Sequence, residues 1–289
     1  MAVSRVPMVT WVFISPALLF LLVFLVYPTV NTIYLSFLNQ NSTAFVGLDN
    51  YRYLFTSPDT LTVFRNNIFW LFAFAVVVVV LGLILAVLTN QVSYEPVAKA
   101  LIFIPMAISF TAAAVIWRFM YIFQPPAFPQ TGVVNAALVG LGGSPVAWLS
   151  DPTTANFALI AAGIWMWTGF AMIVISAGLK GIPSEIMEAA RVDGATEFQI
   201  FRRIILPMLS GVLVVVAVTM TINALKVFDL VYVMTFGNYD TDVIANRMFK
   251  EMFRFLDFGR ASAIAVVLLL AIIPVMLINL RRFRREESR

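Results

Sequence analysis

The chain has 289 residues, of which 61% are hydrophobic and 12% are charged, and its mean hydropathy is +0.93. Soluble domains have roughly half apolar and about a quarter charged residues, so this composition predicts an integral membrane protein. The lack of cysteine and histidine excludes disulfides, thiol chemistry, imidazole bases and nearly all transition-metal sites. The net charge of +4 is not gathered into an aromatic-studded basic patch, so nucleic acid is not an expected partner.

Six apolar runs are long enough to cross a bilayer as helices, which takes about 20 residues each. The first run follows Arg5, but it is too long for a secretory signal peptide and lacks a small-x-small cleavage site, so we expect it to be a retained span. The predicted spans are approximately residues 11–37, 67–88, 100–123, 157–179, 209–236 and 261–283.

The distribution of Lys and Arg predicts that both termini lie in the cytoplasm, where most of the 19 basic residues then fall. In this orientation the loops 38–66, 124–156 and 237–260 face the outside. With no fixed-period repeat, low-complexity tract or linker, the sequence predicts one transmembrane domain over residues 1–289.

A charged insert interrupts the apolar sequence at residues 184–207, on the predicted cytoplasmic side. Ser184 begins a helix-favouring stretch, Gly194 ends it, and Thr196 with Gln199 fits a capping box that starts a second amphipathic segment, which Pro207 is expected to end. The physical pattern fits two functions about equally: an amphipathic hairpin resting on lipid headgroups, or a helix–turn–helix that contacts another protein. We call residues 184–207 the 184–207 loop.

The same insert matches a long motif, EAA-x3-G-x9-I-x-LP, at every specified position. This stretch resembles the EAA loop of bacterial ABC importer permeases. The resemblance implies that the loop is the coupling helix, which sits in a groove of the ATP-hydrolysing subunit. The residues assigned to ATPase coupling are Glu188, Ala189, Ala190, Asp193, Gly194, Ile204, Leu206 and Pro207.

The resemblance extends over nearly the whole chain. The stretches 103–121, 225–235 and 257–270 are similar to the first permease subunit of the carbohydrate importers. Where many sugar permeases have Gly-Gly-Pro after the Thr of the fifth span, this chain has Phe236-Gly237-Asn238, which is similar to α-glucoside permeases.

This family resemblance implies an all-α, six-transmembrane-helix type I ABC importer permease in the bacterial inner membrane. Its implied substrate is a sugar such as sucrose, maltose, trehalose or glucosylglycerol. The implied partners are a second permease subunit, an ABC ATPase dimer at the cytoplasmic face, a periplasmic or lipoprotein sugar-binding protein, and membrane lipid.

Other functional classes lack their sequence signals. No GxSxG, HExxH or paired intramembrane carboxylates indicate an enzyme, and no P-loop is present, so ATP and Mg are expected on the partner ATPase and no cofactor on this chain. The alternative function is a secondary, ion-coupled transporter, which also consists of apolar spans with rare charges at depth. Such a transporter has no reason to carry the EAA motif.

A substrate site is predicted on the fifth span. Asn223, Lys226 and Asp229 are spaced by three and so share one face of a continuous helix. Burying Lys or Asp in lipid costs about 2.5–3.5 kcal/mol, so this face should line the bundle interior or a wet cavity. On the fourth span, Trp165 is the favoured aromatic for stacking on a sugar ring, ahead of Trp167. The alternative is that Lys226 and Asp229 pair with each other or with a partner subunit, and that the tryptophans are packing residues.

Loop 124–156 is the longest predicted external loop. It is expected to contact the external receptor through positions such as Gln130 and Asp151. The alternative is that it only caps the bundle.

Overall fold

A computed structural model describes residues 8–286, and the side chains of residues 10–277. Within this part the chain is helical, and its one β pairing is an isolated antiparallel bridge between Leu38 and Phe45. In chain order, the helices are α1 Met8–Leu21, α2 Tyr27–Leu35, α3 Asp49–Thr56, α4 Pro58–Trp70, α5 Val77–Thr89, α6 Glu95–Phe103, α7 Phe110–Met120, α8 Val133–Gly140, α9 Ala155–Lys180, α10 Ser184–Val192, α11 Glu197–Ile200, α12 Leu206–Met208, α13 Ser210–Leu225, α14 Asp229–Met234, α15 Ile244–Phe253 and α16 Phe258–Glu286. The π-helical turns Leu22–Val26, Leu71–Val76 and Phe201–Ile205 and the 3-10 turn Ile104–Ala107 join some of them.

In the described chain, four helices are by themselves long and apolar enough to cross a bilayer, and the count is six if each of two bent helix pairs forms one span. Four are single helices: Thr10–Leu35, Pro58–Thr89, Ala155–Lys180 and Phe258–Leu277. Two further spans are bent pairs, Glu95–Ala107 with Phe110–Met120 and Glu197–Met208 with Ser210–Leu225. The prediction of a six-span all-α membrane protein is confirmed. Arg5 and the basic residues from Arg281 onward, which underlie the predicted orientation, lie outside the residues whose side chains are described.

The third span is bent by 98° between its two helices. The bend has a local cause at Ser109. This residue has extended backbone (φ −62°, ψ 147°), and its hydroxyl accepts a hydrogen bond from Ala112 N at 3.2 Å. This is an N-cap, which starts α7 in a new direction.

The fifth span differs from its prediction at both ends. The helix entering it begins at Glu197 and bends by 66° at Leu209, not at Pro207, which lies in the first turn of the short α12. At the other end, α13 stops at Leu225 and α14 starts only at Asp229. A single helix over residues 209–236 is therefore wrong.

The side chain of Asn67 in α4 explains the early end of α13. Its amide donates to Ala224 O at 3.3 Å and to Leu225 O at 3.2 Å. These carbonyls belong to the last turn of the helix and lack helical partners, so a side-chain donor stabilises the helix end at this position.

The contacts divide the chain into two compact units. One combines the segment up to Ser57 with Met248–Leu269, and the other combines Pro58–Arg247 with the segment from Leu270 onward. In the first unit, the buried Asn50 donates to Ser36 O at 2.9 Å and Leu38 O at 2.8 Å, and the Arg260 guanidinium lies 3.8 Å from the centre of the Tyr53 ring.

The core of the second unit is built around α9, most of whose length is buried. Gly82 of α5 lies so close to α9 that an added Cβ would be 2.5 Å from Ala171 Cβ. Small residues at the contact allow two helix backbones to approach, as is common between membrane helices.

Candidate functional site

A cavity lies beside the break between α13 and α14. It has about 700 Å³ of empty space, which includes space open to the outside of the fold. We call it the membrane cavity. Its lining residues are Trp70, Phe74, Phe110, Gly163, Trp167, Asn223, Lys226, Val227, Phe228, Asp229 and Leu230.

The break in the fifth span brings the three predicted polar residues into this cavity. Asn223 lies in the last turn of α13, Lys226 follows the helix end, and Asp229 is the first residue of α14. Between them Phe228 is non-helical, with φ −141° and ψ −62°. The prediction that these residues share one face of a continuous helix is wrong, because the irregular turn groups them instead.

The polar groups of the cavity retain hydrogen-bonding capacity. The Asn223 amide nitrogen donates to Thr219 O at 2.9 Å, and its amide oxygen has no partner within the described chain. Thr111 Oγ1 donates to Asp229 Oδ1 over 3.4 Å. Over the same residues no ion pair joins Lys226 to Asp229, so the alternative that these two charges neutralise each other is not what the structure shows.

Aromatic side chains from α4, α7 and α9 line the cavity. Trp167 of α9 stacks on Phe110 of α7, with ring centres 5.8 Å apart and planes at 26°. Trp70 is 1% exposed, and its indole N–H has no acceptor in the described structure. The indole nitrogen is itself buried, so the Trp70 ring contributes an apolar wall to the cavity and not an accessible donor.

Trp165 does not line the membrane cavity. Its ring packs edge-on against Trp117, with centres 5.7 Å apart. Side chains two positions apart on a helix point in nearly opposite directions, so only one of Trp165 and Trp167 can face the membrane cavity. The preference for Trp165 as the stacking residue is not supported by this geometry, which places Trp167 at the cavity.

Asn67 is a residue that the sequence reasoning missed. Besides donating to the end of α13, its Oδ1 accepts a hydrogen bond from Ile244 N at 2.7 Å, at the start of α15. It is 2% exposed. The Asn66-Asn67 pair at the start of the predicted second span, 67–88, was an available signal, because buried amides in membrane helices need specific partners.

The 184–207 loop forms the predicted helix–turn–helix. At the end of α10, Ala195 N donates to Ala190 O at 2.9 Å and Gly194 N donates to Arg191 O at 3.0 Å, which is the Schellman pattern. Gly194 has φ +83°, a conformation that glycine adopts without strain. The capping box is also present, since Thr196 Oγ1 accepts from Gln199 N and Gln199 Oε1 accepts from Thr196 N.

The loop presents both charged and apolar groups on its surface. Glu188 and Ala189 are exposed, Val192 is 87% exposed and Phe198 is 69% exposed. Arg191 pairs with Glu197 at 2.7 Å, and this hydrogen bond raises the pKa of Arg191 above its usual value. A compact, internally braced loop with exposed apolar side chains is suited to being covered by another surface.

Comparison with known proteins identifies the family. Residues 78–285 match the family described as "Binding-protein-dependent transport system inner membrane component". The chain belongs to this family. It is therefore a multi-pass inner-membrane permease subunit of an ABC transporter, a transport component and not an enzyme.

Two curated relatives match over nearly the whole chain. The osmoprotective compounds uptake permease protein GgtC of Synechocystis sp. is 52% identical over 276 residues, which cover 96% of this chain and 99% of that protein. The alpha-glucoside transport system permease protein AglF of Rhizobium meliloti is 46% identical over 279 residues, covering 96% of this chain and 83% of that protein.

Solved structures support the same fold. A chain of a bacterial alginate ABC transporter, solved in complex with an alginate pentasaccharide-bound periplasmic protein, superposes with a TM-score of 0.83 and 24% sequence identity. The match covers 96% of this chain and 94% of that chain. The six-span architecture is thus that of an ABC importer permease.

Proposed function

We propose that this chain is one permease subunit of an ATP-driven importer that moves a sugar across the membrane. The main support for this proposal is the membrane cavity, which is lined by Asn223, Lys226 and Asp229 together with Trp167. Sugars present hydroxyl groups that need donors and acceptors, and pyranose rings have apolar faces that stack on aromatic planes. The names of the two curated relatives, which refer to osmoprotective compounds and alpha-glucosides, support a small α-glucoside such as glucosylglycerol, trehalose, sucrose or maltose.

Within the cavity we assign Asn223 as a direct ligand through its free amide oxygen. Lys226 and Asp229 supply donors and acceptors at the helix break. Trp167 supplies the stacking surface, since Trp165 lies against Trp117.

Energy is proposed to enter through the 184–207 loop. Its exposed Val192 and Phe198, next to the matched EAA motif, support docking into a groove of a separate ABC ATPase dimer, which holds ATP and Mg. The competing lipid-surface function accounts for the turn at Gly194 but not for the EAA motif.

The other partners are a second permease subunit and an external sugar-binding protein that delivers the substrate. The binding protein is supported by the family description and by the solved alginate transporter complex, which contains a periplasmic protein.

Transport kinetics test the assigned site. The whole complex is reconstituted in proteoliposomes, and uptake of sucrose, maltose, trehalose and glucosylglycerol is measured for the unmodified protein, for Asn223→Ala and for Trp167→Ala. Each of the two variants removes a cavity interaction, so we expect an uptake rate lower by about tenfold, the equivalent of one hydrogen bond to a polar ligand, and a changed order of preferred sugars.

Trp165→Ala is the matched control, since it removes the same ring from the same helix but outside the cavity. We expect it to preserve the order of preferred sugars. If Asn223→Ala and Trp167→Ala assemble normally and change neither rate nor preference, the site lies elsewhere. Uptake that follows a proton or sodium gradient and survives the loss of ATP would instead support the ion-coupled transporter.

A further inference from the structure

A cluster of polar side chains lies at the end of α9, just before the 184–207 loop. It joins three parts of the second unit: the chain following α5, the start of α6 and the last turns of α9. We call it the Lys99 cluster. Its members are Asn90, Glu95, Lys99, Ser176 and Lys180.

Lys99 is the centre of this cluster. Its ammonium donates to Asn90 Oδ1 at 2.6 Å, and it also contacts the Glu95 carboxylate and the Ser176 hydroxyl. An ammonium has three donors, and here each has an acceptor. The Ser176 hydroxyl also donates to Asn90 Oδ1 at 2.8 Å, so the residue that follows α5 is bonded directly to α9.

Glu95 connects two cations. Besides Lys99, its carboxylate pairs with Lys180 Nζ at 2.6 Å. The side chain of Lys99 is 12% exposed and that of Glu95 is 21% exposed, whereas Lys180 is 60% exposed. Removing one partner of a largely buried charge pair leaves the other uncompensated, so the cluster holds α6 and the end of α9 in one arrangement.

The cluster lies on a continuous route between the 184–207 loop and the membrane cavity. On one side, only Gly181-Ile182-Pro183 joins Lys180 to α10, and Ile182 is buried. On the other side, α6 leads through the 98° bend into α7, whose first residue, Phe110, lines the cavity. Chain connections and the Glu95–Lys180 pair therefore link α10 to α7 through α6.

We propose that the Lys99 cluster is the link through which the 184–207 loop moves α6 and α7, with Lys99 and Glu95 as positioning residues. The proposal rests on the proposed docking of the ATPase on this loop. Packed and hydrogen-bonded networks can carry coupling between two sites, and the cluster is such a network, since charge-assisted hydrogen bonds join its three chain segments.

The test uses the complete complex in proteoliposomes, with whichever of the four sugars above the unmodified complex takes up fastest. Lys99→Met keeps side-chain length but removes the ammonium, and Glu95→Gln keeps shape but removes the charge. For both we expect the stimulation of ATPase by loaded binding protein, and the sugar moved per ATP hydrolysed, to fall by at least about fivefold, the lower end of typical coupling between sites. The ATPase should still co-purify with the complex.

A charge exchange separates positioning from general stability. In the double variant Glu95→Lys with Lys180→Glu, opposite charges are again present at positions 95 and 180, so we expect the sugar moved per ATP to be higher than in Glu95→Lys alone. Arg65→Gln, which removes an exposed basic residue of α4, is the control and should match the unmodified complex.

The proposal is overturned if Lys99→Met and Glu95→Gln keep the unmodified ratio of sugar to ATP. It is also overturned if their ratio falls only together with loss of subunits or a lower unfolding midpoint, and the double variant moves no more sugar per ATP than Glu95→Lys alone. A different result is expected if the ATPase does not dock on the 184–207 loop at all. In that case the ATPase would still co-purify with a variant whose loop turn is disrupted, such as Gly194→Val.

Discussion

Gly194 acts through backbone conformation alone. An added Cβ would meet no atom within 4 Å, yet the residue has φ +83°. Packing therefore does not explain glycine at this position, and the Schellman turn does.

Because only the backbone conformation requires glycine at position 194, two substitutions there should differ in effect. A β-branched residue is disfavoured in left-handed backbone by about 1–2 kcal/mol, whereas asparagine tolerates it better. We expect Gly194→Val to reduce co-purification of the ATPase and receptor-stimulated ATP hydrolysis by about tenfold, and Gly194→Asn to retain most of both. Normal stimulation in Gly194→Val would show that the loop is an anchor on lipid headgroups.

Asn67 binds three backbone groups in two other chain segments with a single amide. Replacement by leucine, of similar size, leaves the Ala224 and Leu225 carbonyls and the Ile244 N–H without their partner. Each buried unpaired group costs about 1–3 kcal/mol. We expect Asn67→Leu to lower the unfolding midpoint of the purified complex and to reduce sugar uptake. Asn41→Leu, at an exposed position, is the control and should change neither; equal effects in both variants would contradict the capping role.

At the scale of elements, local signals were sufficient where the cause of a structure is local. The capping box at Thr196 and the turn at Gly194 were predictable because their partners lie within a few residues. The end of α13 was not, because the donor that stabilises it, Asn67, is 157 residues from Ala224. Apolar periodicity cannot report such a contact.

The sequence could not indicate which of Trp165 and Trp167 borders the cavity, for a related reason. A helix that is apolar on all sides, as α9 is, carries no pattern that indicates which face borders a cavity. Only the packing of α7 against α9, which places Trp117 on one tryptophan and Phe110 on the other, distinguishes the two.

At the scale of the whole molecule, the segment between α7 and α9 is more ordered than an irregular loop. Asn135 of α8 is fully buried, and its amide binds Ile122 O, Val146 O and N, and Trp148 Nε1. Gln130, one of the two predicted contact positions, bonds to the backbone N and O of Gln124 and so serves the fold of the segment.

These contacts improve the test of receptor docking. Leu141 follows α8 and is 88% exposed, so a photoreactive residue there reports on contacts without disturbing the Asn135 network. We expect cross-links from position 141 to the loaded sugar-binding protein in a transport-competent complex, whereas a position in the 184–207 loop, such as Val192, should give none. If position 141 and neighbouring exposed positions all fail, the segment is only a cap over the bundle.

The bend at Leu209 gives α13 the geometry of a lever. Leu209 is 1% exposed and so is held in the core, while Asn223 lies near the far end of the 16-residue helix. At 1.5 Å per residue this helix is about 24 Å long, so a rotation of about 5° at Leu209 would displace its cavity end by about 2 Å. Hydrogen bonds form over a distance range of only about 0.5 Å, so a rotation of this size would also break the two hydrogen bonds that Asn67 donates to the Ala224 and Leu225 carbonyls at that end.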